Sequence, residues 1–363
     1  MTKKIKFGIN DFTSAIAFAV LLLSLLISFD TIFLISVAGI FLGLGISSAV
    51  HSAEVIAQRL GPSLGTLILA LAVTIIEVAL IVSLMGNQSE GYDKIARDTV
   101  FAAIMIVTNG IIGVCILIGG IKHKELTFQT MGTSALLAVL AVLSVLTLVL
   151  PNFTTSASGP TYTVGQLIFV SVTSIALYGA LVFAQTKTHK SYFEAIPESQ
   201  IESLEEASEM PTRMRAWFSF FTLLLSLVAV VGLAKILSPS IESAIAYIGA
   251  PKAVVGIVIA LLVLAPETVA AVNAARINQL QTSLNLALGS GAASIALTIP
   301  VVSLYSIYTD SKLTLGLDSK SLILMLTTFL SGGLTVGVGR STALHGIVHL
   351  VILAAYIALS FMP

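Results

Sequence analysis

Two glutamates, Glu77 and Glu267, each close an apolar stretch that superimposes on the other. Leu67 to Glu77 reads LILALAVTIIE and Ile257 to Glu267 reads IVIALLVLAPE, and both run on into small apolar residues. An ionised carboxylate at the centre of a membrane helix costs roughly 2.5 to 3.5 kcal/mol on insertion scales, so it is normally paired, protonated or holding a cation. Two such residues at matching positions point to one shared site. The competing reading, a protonated structural acid hydrogen-bonded between helices, suits a lone glutamate better than a repeated pair.

Further oxygen donors surround both residues. Thr74 lies three residues before Glu77, on the same helical side, and offers a hydroxyl. Pro266 directly precedes Glu267 and has no N–H to give the carbonyl four residues earlier, which leaves the Leu262 C=O available to a ligand or to water. A hard cation such as Ca²⁺ takes six to eight oxygens, and two carboxylates with carbonyls, hydroxyls and waters make a plausible set; Na⁺ and K⁺ accept the same donors. Ser290 sits in the small-residue run Gly289-Ser-Gly-Ala-Ala-Ser294, which suits close helix packing but also admits ligation, and Asn109-Gly110 is its counterpart in the other half.

Ser47, His51, Glu54 and Gln58, spaced four, three and four, share one helical face. A wet face there suits an ion entry path or gate, with Glu54 and His51 as the titrating groups. A helix end emerging into solvent beside Arg59 explains it equally well. Asn278, Gln281 and Asn285 form a similar stripe in the second half. His345 and His349 are four apart, but two histidines without cysteine or carboxylate make a poor zinc site, and water-facing or interhelical hydrogen bonding is the commoner fate. Arg97-Asp98 reads as a solvated pair at an outer helix end, and Cys115 as a small core residue. No phosphate-binding glycine loop, nucleophile elbow or metalloprotease motif is present, so an enzyme is not expected.

The elements that must carry these groups are membrane helices. Of 363 residues, 56% are hydrophobic and only 10% charged, and mean hydropathy is +1.03. About 20 apolar residues cross a bilayer as a helix. Eleven such spans are predicted, at 12–29, 32–57, 62–86, 96–121, 127–150, 162–186, 216–237, 253–275, 281–308, 320–339 and 341–361. The fold class is therefore an all-α integral membrane protein. The first span follows three lysines but lacks a small-residue cleavage site, and reads as a retained helix.

Twelve of the eighteen basic residues, among them Lys3, Lys122, Lys187, Arg276 and Arg340, fall on one side of this arrangement. The positive-inside rule then places the amino terminus in the cytoplasm and, with an odd number of spans, the carboxyl terminus outside. The hydrophilic stretch from Lys187 to Arg215, rich in glutamate from Glu194 to Glu209, divides the chain. Residues 1–30 carry helix 1, 31–186 a first five-helix repeat, 187–215 an acidic cytoplasmic linker, and 216–363 a second repeat. Five-helix repeats insert in opposite senses, and inverted repeats place their site near the midplane. The acidic linker is either a solvated connection or a surface that concentrates cations.

Three stretches resemble a known family. His51-Ser-Ala-Glu-Val-Ile-Ala-Gln-Arg-Leu-Gly61 leads towards Glu77; Gln185-Thr-Lys-Thr-His189 and Tyr192-Phe-Glu194 precede the acidic loop; Ala265-Pro-Glu267 runs through Leu288-Gly-Ser290 to Ile299-Pro300. In order and spacing they look like a bacterial, ChaA-like member of the calcium/proton exchanger (CAX) family, within the cation/calcium antiporter superfamily. The resemblance implies eleven helices, Glu77 and Glu267 as alternating carriers of cation and proton, and Glu54 as a cytoplasmic gating carboxylate. It further implies export of Ca²⁺, and of Na⁺ or K⁺, against H⁺ by alternating access across a bacterial inner membrane. Helices 1 and 6 with their repeat-related partner are then expected to slide or rock against the central helices 2 to 5 and 7 to 10. The alternatives are a monovalent-selective antiporter and a cation channel. The family's usual Gly-Asn-Ala-Ala-Glu has Thr74 and Leu264 in place of its asparagines here, and Thr268 where histidine follows the glutamate. Fewer fixed side-chain oxygens favour admitting Na⁺ or K⁺. Inorganic cations, protons and the bilayer are the expected partners, with no resident cofactor and no nucleic acid.

Overall fold

The computed structural model describes residues 9–26, 32–60, 62–86, 91–194, 211–247, 249 and 251–362. Among them the chain forms eleven long helices in the expected order. These are α1 (Ile9–Leu26), α2 (Ile32–Leu60), α3 (Pro62–Met85), α4 (Ile95–His123), α5 (Thr130–Asn152), α6 (Val164–Thr188), α7 (Arg213–Tyr247), α8 (Ala253–Arg276), α9 (Leu280–Thr309), α10 (Ser319–Gly337) and α11 (Ala343–Phe361). Nine of them are long and apolar enough to cross a membrane within the described residues, and α1 and α3 contribute shorter apolar stretches. The chain is a multi-pass membrane protein. The amino-terminal lysines and Glu198, Glu202, Glu205, Glu206 and Glu209 of the acidic segment lie outside the described residues.

The helices group into two compact units, each drawing on both halves of the sequence. In the first unit α1, α2, α3 and α7 pack together. Small residues make the close approaches: Gly45 faces Val230 Cγ2 of α7, and Ser226 Oγ donates to Ser48 Oγ at 3.3 Å. The second unit holds α4 to α6 and α8 to α11. The unit containing α1 also contains α7, and α6 lies in the other unit.

Several details were not anticipated. The α7 helix continues ten residues past the expected end at 237, through Pro239. A proline removes only its own N–H and crowds the carbonyl four residues back, and here the helix absorbs it. Helices α4, α5 and α6 contain π turns at Ile106–Ile111, Val145–Val149 and Ala184–Thr188, each admitting an extra residue. Two short strands, Glu125–Thr127 and Arg340–Thr342, pair antiparallel.

The connection from α9 to α10 is buried from Leu313 to Leu317. A buried loop must find partners for its backbone. Thr314 N–H donates to the Asp93 carbonyl at 2.9 Å, Leu315 and Gly316 N–H donate to the Pro160 carbonyl, and Leu317 N–H donates to the Leu148 carbonyl. Asn152 Nδ2 donates to the Leu317 carbonyl at 2.7 Å, and Arg97 Nη1 to that of Gly316 at 3.1 Å. Arg97 also holds Asp98, Nη2 to Oδ1 at 2.7 Å, and both side chains are only 15% exposed. This corrects the expectation of a solvated pair: the guanidinium is taken up by the loop that covers it. Asp318 caps α10 by accepting the Ser321 N–H at 2.9 Å. Partial burial would raise its carboxyl, but the Ser321 hydrogen bonds, with Lys320 and Arg97, outweigh that and hold it below the ordinary carboxylate range. The cap's contribution is thus present above the unfolded carboxylate range and is lost as pH falls through the lowered value.

Gly316 lies so close to Asn152 that a Cβ would fall 2.1 Å from its Oδ1 and 2.7 Å from Pro160 Cβ. Gly316→Ala should destabilise the protein by about 1 to 3 kcal/mol, as overpacking does. Gly165, in the first turn of α6, has nothing within 4 Å of such a position, so Gly165→Ala should leave stability unchanged or raise it. Thermal unfolding in detergent reads both; equal melting temperatures for the two variants would show that the loop has room to yield.

Candidate functional site

The α8 helix presents the best-defined part of the site. Pro266 sits inside it without ending it, and it offers no N–H to the Leu262 carbonyl one turn earlier. Glu267 follows and is 5% exposed. Ser290 of α9 donates its hydroxyl to Glu267 Oε1 at 3.4 Å. Of the second-unit residues singled out from sequence, Glu267 and Ser290 are therefore brought together. Thr268, standing where the family pattern has histidine, turns back on its own helix and donates to the Leu264 carbonyl at 2.7 Å.

A hydrogen bond fixes α9 against α8 on the way to this pair. Ser283 Oγ donates to the Ala271 carbonyl at 2.7 Å, next to the buried Cys115 of α4. The stripe read on α9 is a hydrogen-bonded row: Gln281 Nε2 donates to Asn285 Oδ1 at 2.9 Å, and Asn285 Nδ2 donates to the Phe193 carbonyl at 2.5 Å. The Tyr192-Phe193 stretch ahead of the acidic segment thus rests on α9. Within that stretch, Lys190 and Glu194 form an exposed ion pair at 3.0 Å.

The α8 helix is also held to α4 near both ends. Gly256 lies so near the Asp98 and Thr99 backbone that a Cβ would fall 2.8 Å from it. At the other end Lys122 Nζ donates to the Arg276 carbonyl at 2.9 Å, and His123 Nε2 lies 3.2 Å from the same oxygen. The last carbonyls of a helix lack intrahelical partners and carry partial negative charge, which a basic side chain satisfies well.

In the first unit Glu77 and Thr74 are both buried on α3, at 3% and 4% exposure. Two nearly dry polar residues on one side of an apolar helix repeat the character of the α8 site. On α2, His51 Nδ1 lies 3.9 Å from Glu54 Oε2, and both side chains are partly exposed. The two gate candidates are paired on a face open to solvent at intermediate level, with Ser47 and Gln58 exposed along the same stripe.

The hydrogen bonds of Asn109 go to other residues than Glu267 and Ser290. Its amide, on the π turn of α4, is engaged by Thr328 of α10 and His349 of α11. His349 is buried, whereas His345 is half-buried at the start of α11 near Thr342, so the two histidines have different fates despite their i, i+4 spacing. The sequence pointed to His349, but Thr335 and Asn109, which meet it, lie on two other helices at no telling spacing.

Known proteins resemble this chain over most of its length. The family model described as sodium/calcium exchanger protein matches residues 30–187 and 218–362, two blocks that flank the acidic segment. The putative ionic transporter y4hA of Sinorhizobium fredii (strain NBRC 101917 / NGR234) is 44% identical over 334 residues, covering 92% of this chain and 90% of that protein. The sodium-potassium/proton antiporter ChaA of Escherichia coli (strain K12) is 33% identical over 314 residues, covering 86% and 85%. The crystal structure of the H⁺/Ca²⁺ exchanger CAX superimposes with a TM-score of 0.68 at 15% identity, over 98% of this chain and 94% of that one.

Removing the hydroxyl beside the carboxylate tests the pair on α8 and α9. Ser290→Ala should raise the apparent KM for the cation about three- to tenfold, since at 3.4 Å the bond is long and an ordinary intramolecular hydrogen bond contributes roughly 0.5 to 1.5 kcal/mol. Thr74→Ala should act in the same direction. Cation-concentration dependence in proteoliposomes measures both; an unchanged KM in Ser290→Ala would leave that hydroxyl a packing group.

Proposed function

The chain belongs to the sodium/calcium exchanger protein family, and on that premise we propose that it is a secondary cation/proton antiporter that exports Ca²⁺ in exchange for H⁺ by alternating access. The family is one of transporters. The observation that carries the reading is Glu267, a carboxylate almost without exposure on a proline-bearing membrane helix, with the Ser290 hydroxyl against it.

Glu77 and Glu267 are the proposed carriers, assisted by Thr74, Ser290 and the Leu262 carbonyl. Two carboxylates are neutralised either by one Ca²⁺ or by two protons, so both loaded forms are tolerable in a low-dielectric interior while the empty, doubly charged form is costly. Transit without cargo is suppressed by that difference. Each pH unit across the membrane supplies about 1.4 kcal/mol per proton, enough for inward protons to drive cytoplasmic cations out. The bias of Lys and Arg supports a cytoplasmic amino terminus and an external carboxyl terminus, and the bacterial relatives support a bacterial inner membrane. Glu54 with His51 serves as the cytoplasmic gate, and inorganic cations and protons are the cargo.

A second reading, exchange of Na⁺ or K⁺ for H⁺, is favoured by the absence of the paired asparagines, replaced by Thr74 and Leu264, and by the 33% identity to a sodium-potassium/proton antiporter. Vesicles holding the purified protein and an imposed pH gradient, challenged separately with Ca²⁺, Na⁺ and K⁺, decide between them. Dissipation of the gradient by Ca²⁺ alone supports the first reading and by the monovalent ions alone the second; no cation-dependent proton movement would overturn both.

In the same vesicles Glu77→Gln and Glu267→Gln should each abolish exchange, with the protein still folded by size-exclusion chromatography. Normal exchange by either variant would remove that residue from the carrier. Glu54→Gln should instead lower turnover or shift its pH dependence while sparing cation KM; wild-type behaviour from pH 6 to 9 would remove it from the gate.

A further inference from the structure

The second unit contains a closed polar network that the exchange reading does not use. It joins α4, α10 and α11 through Asn109, Thr328, His349 and Thr335, all of them buried. Its hydrogen positions follow from donor counting. Thr328 has one hydroxyl hydrogen, which it gives to the Leu324 carbonyl at 2.8 Å, so towards Asn109 it presents a lone pair. Asn109 Nδ2 donates into that lone pair at 2.9 Å. The amide oxygen must then be the atom facing His349 Nδ1 at 3.0 Å, and since an amide oxygen only accepts, Nδ1 carries the proton. The remaining ring nitrogen, Nε2, is left as the acceptor of the Thr335 hydroxyl at 3.1 Å. Every group is satisfied with the imidazole neutral and in one tautomer.

The network is attached to the π turn of α4, Ile106–Ile111, a kind of irregularity often found at functional sites. Two residues before Asn109 in that turn, Val107 Cγ1 lies 3.3 Å from the position a Cβ on Gly291 of α9 would take. Gly291 follows Ser290, whose hydroxyl meets Glu267. A continuous chain of contacts therefore runs from His349 through Asn109 and the π turn to the turn of α9 that addresses the carboxylate.

We propose that His349 is a positioning residue: by donating to Asn109 it fixes the register of the α4 π turn against Gly291 and so sets the placement of Ser290 at Glu267. The proposal rests on Glu267 being a cation-carrying group. It assigns Asn109 a supporting role through its own hydrogen bonds. The Thr335 contact orients the ring but does not touch Asn109, so it is the less critical end of the network.

Two substitutions separate the hydrogen bond from mere filling of space. His349→Leu keeps bulk but leaves the Asn109 oxygen, fully buried, without its donor. His349→Asn places an amide nitrogen where Nδ1 stood and can still donate. In proteoliposomes His349→Leu should raise the apparent cation KM about fivefold or more, with maximal rate per folded protein within about twofold of wild type, and His349→Asn should return KM to within about twofold. Equal KM values in wild type and His349→Leu, or equal impairment in the Leu and Asn variants, would overturn the proposal, because packing alone makes no distinction between a donor and its absence. Should His349→Leu fail to fold, Thr328→Val removes the acceptor that orients the amide while preserving shape. It should raise KM about threefold, and an unchanged KM would overturn the proposal in the same way. Wild-type protein in the same vesicles must exchange cation for protons; its failure to do so would defeat the antiporter reading, whereas wild-type exchange beside an indifferent His349→Leu defeats only this inference.

Discussion

A carboxylate deep in an apolar helix keeps its charge only while something positive neutralises it, and the middle of α8 is arranged around that constraint. Burial excludes water from Glu267; Ser290 of α9 offers it a hydroxyl, and Pro266 leaves the Leu262 carbonyl one turn away without its N–H. Neither group carries a charge, and a cation or a proton is what neutralises a carboxylate in such surroundings. Thr74 and Glu77 are likewise buried on α3.

Around this charge problem the protein solves a second one, the pairing of backbone groups where no water reaches. Several helix-borne hydroxyls outside the site turn back on their own helices, as Thr108, Ser144, Thr147 and Thr268 do to the carbonyls four residues before them. The irregular stretch from Leu313 to Leu317 is tolerated because neighbouring backbone and the Asn152 and Arg97 side chains supply its partners. Ser290 is a hydroxyl released from this duty, since it reaches across to another helix. That difference in partner separates a residue available for ligation from one that only keeps its helix in order.

The eleven helices were legible in the sequence because bilayer thickness imposes a length, and twenty apolar residues in a row have few other uses. The glutamates were legible because charge is rare in such runs and because the run repeats. What stayed hidden depends on contacts between residues far apart in the chain. Arg97-Asp98 looks like an exposed pair until the loop near Gly316 is laid over it. The end of α7 was misplaced because Pro239 signals a stop only where the chain has no helical continuation. The π turns leave no trace in hydropathy, since an added residue changes register without changing composition. Asn109, matched by position to the Ser290 region, was expected among the ligands, and its engagement by Thr328 and His349 could be seen only once α10 and α11 were placed beside it.

The two ties between α4 and α8 bear on how the carboxylate can travel. Near one end the backbones meet at Gly256 with no side chain between them, and at the other Lys122 grips the last carbonyls of α8. Sliding by a single turn would advance one helix about 5.4 Å along the other. That would carry Lys252 or Ala260, each with a Cβ, into the space only Gly256 fits, and would pull Arg276 away from Lys122. The pair behaves as a splint: a load on Glu267 is borne by α4 as well, and any displacement that changes the access of that carboxylate has to take both helices together.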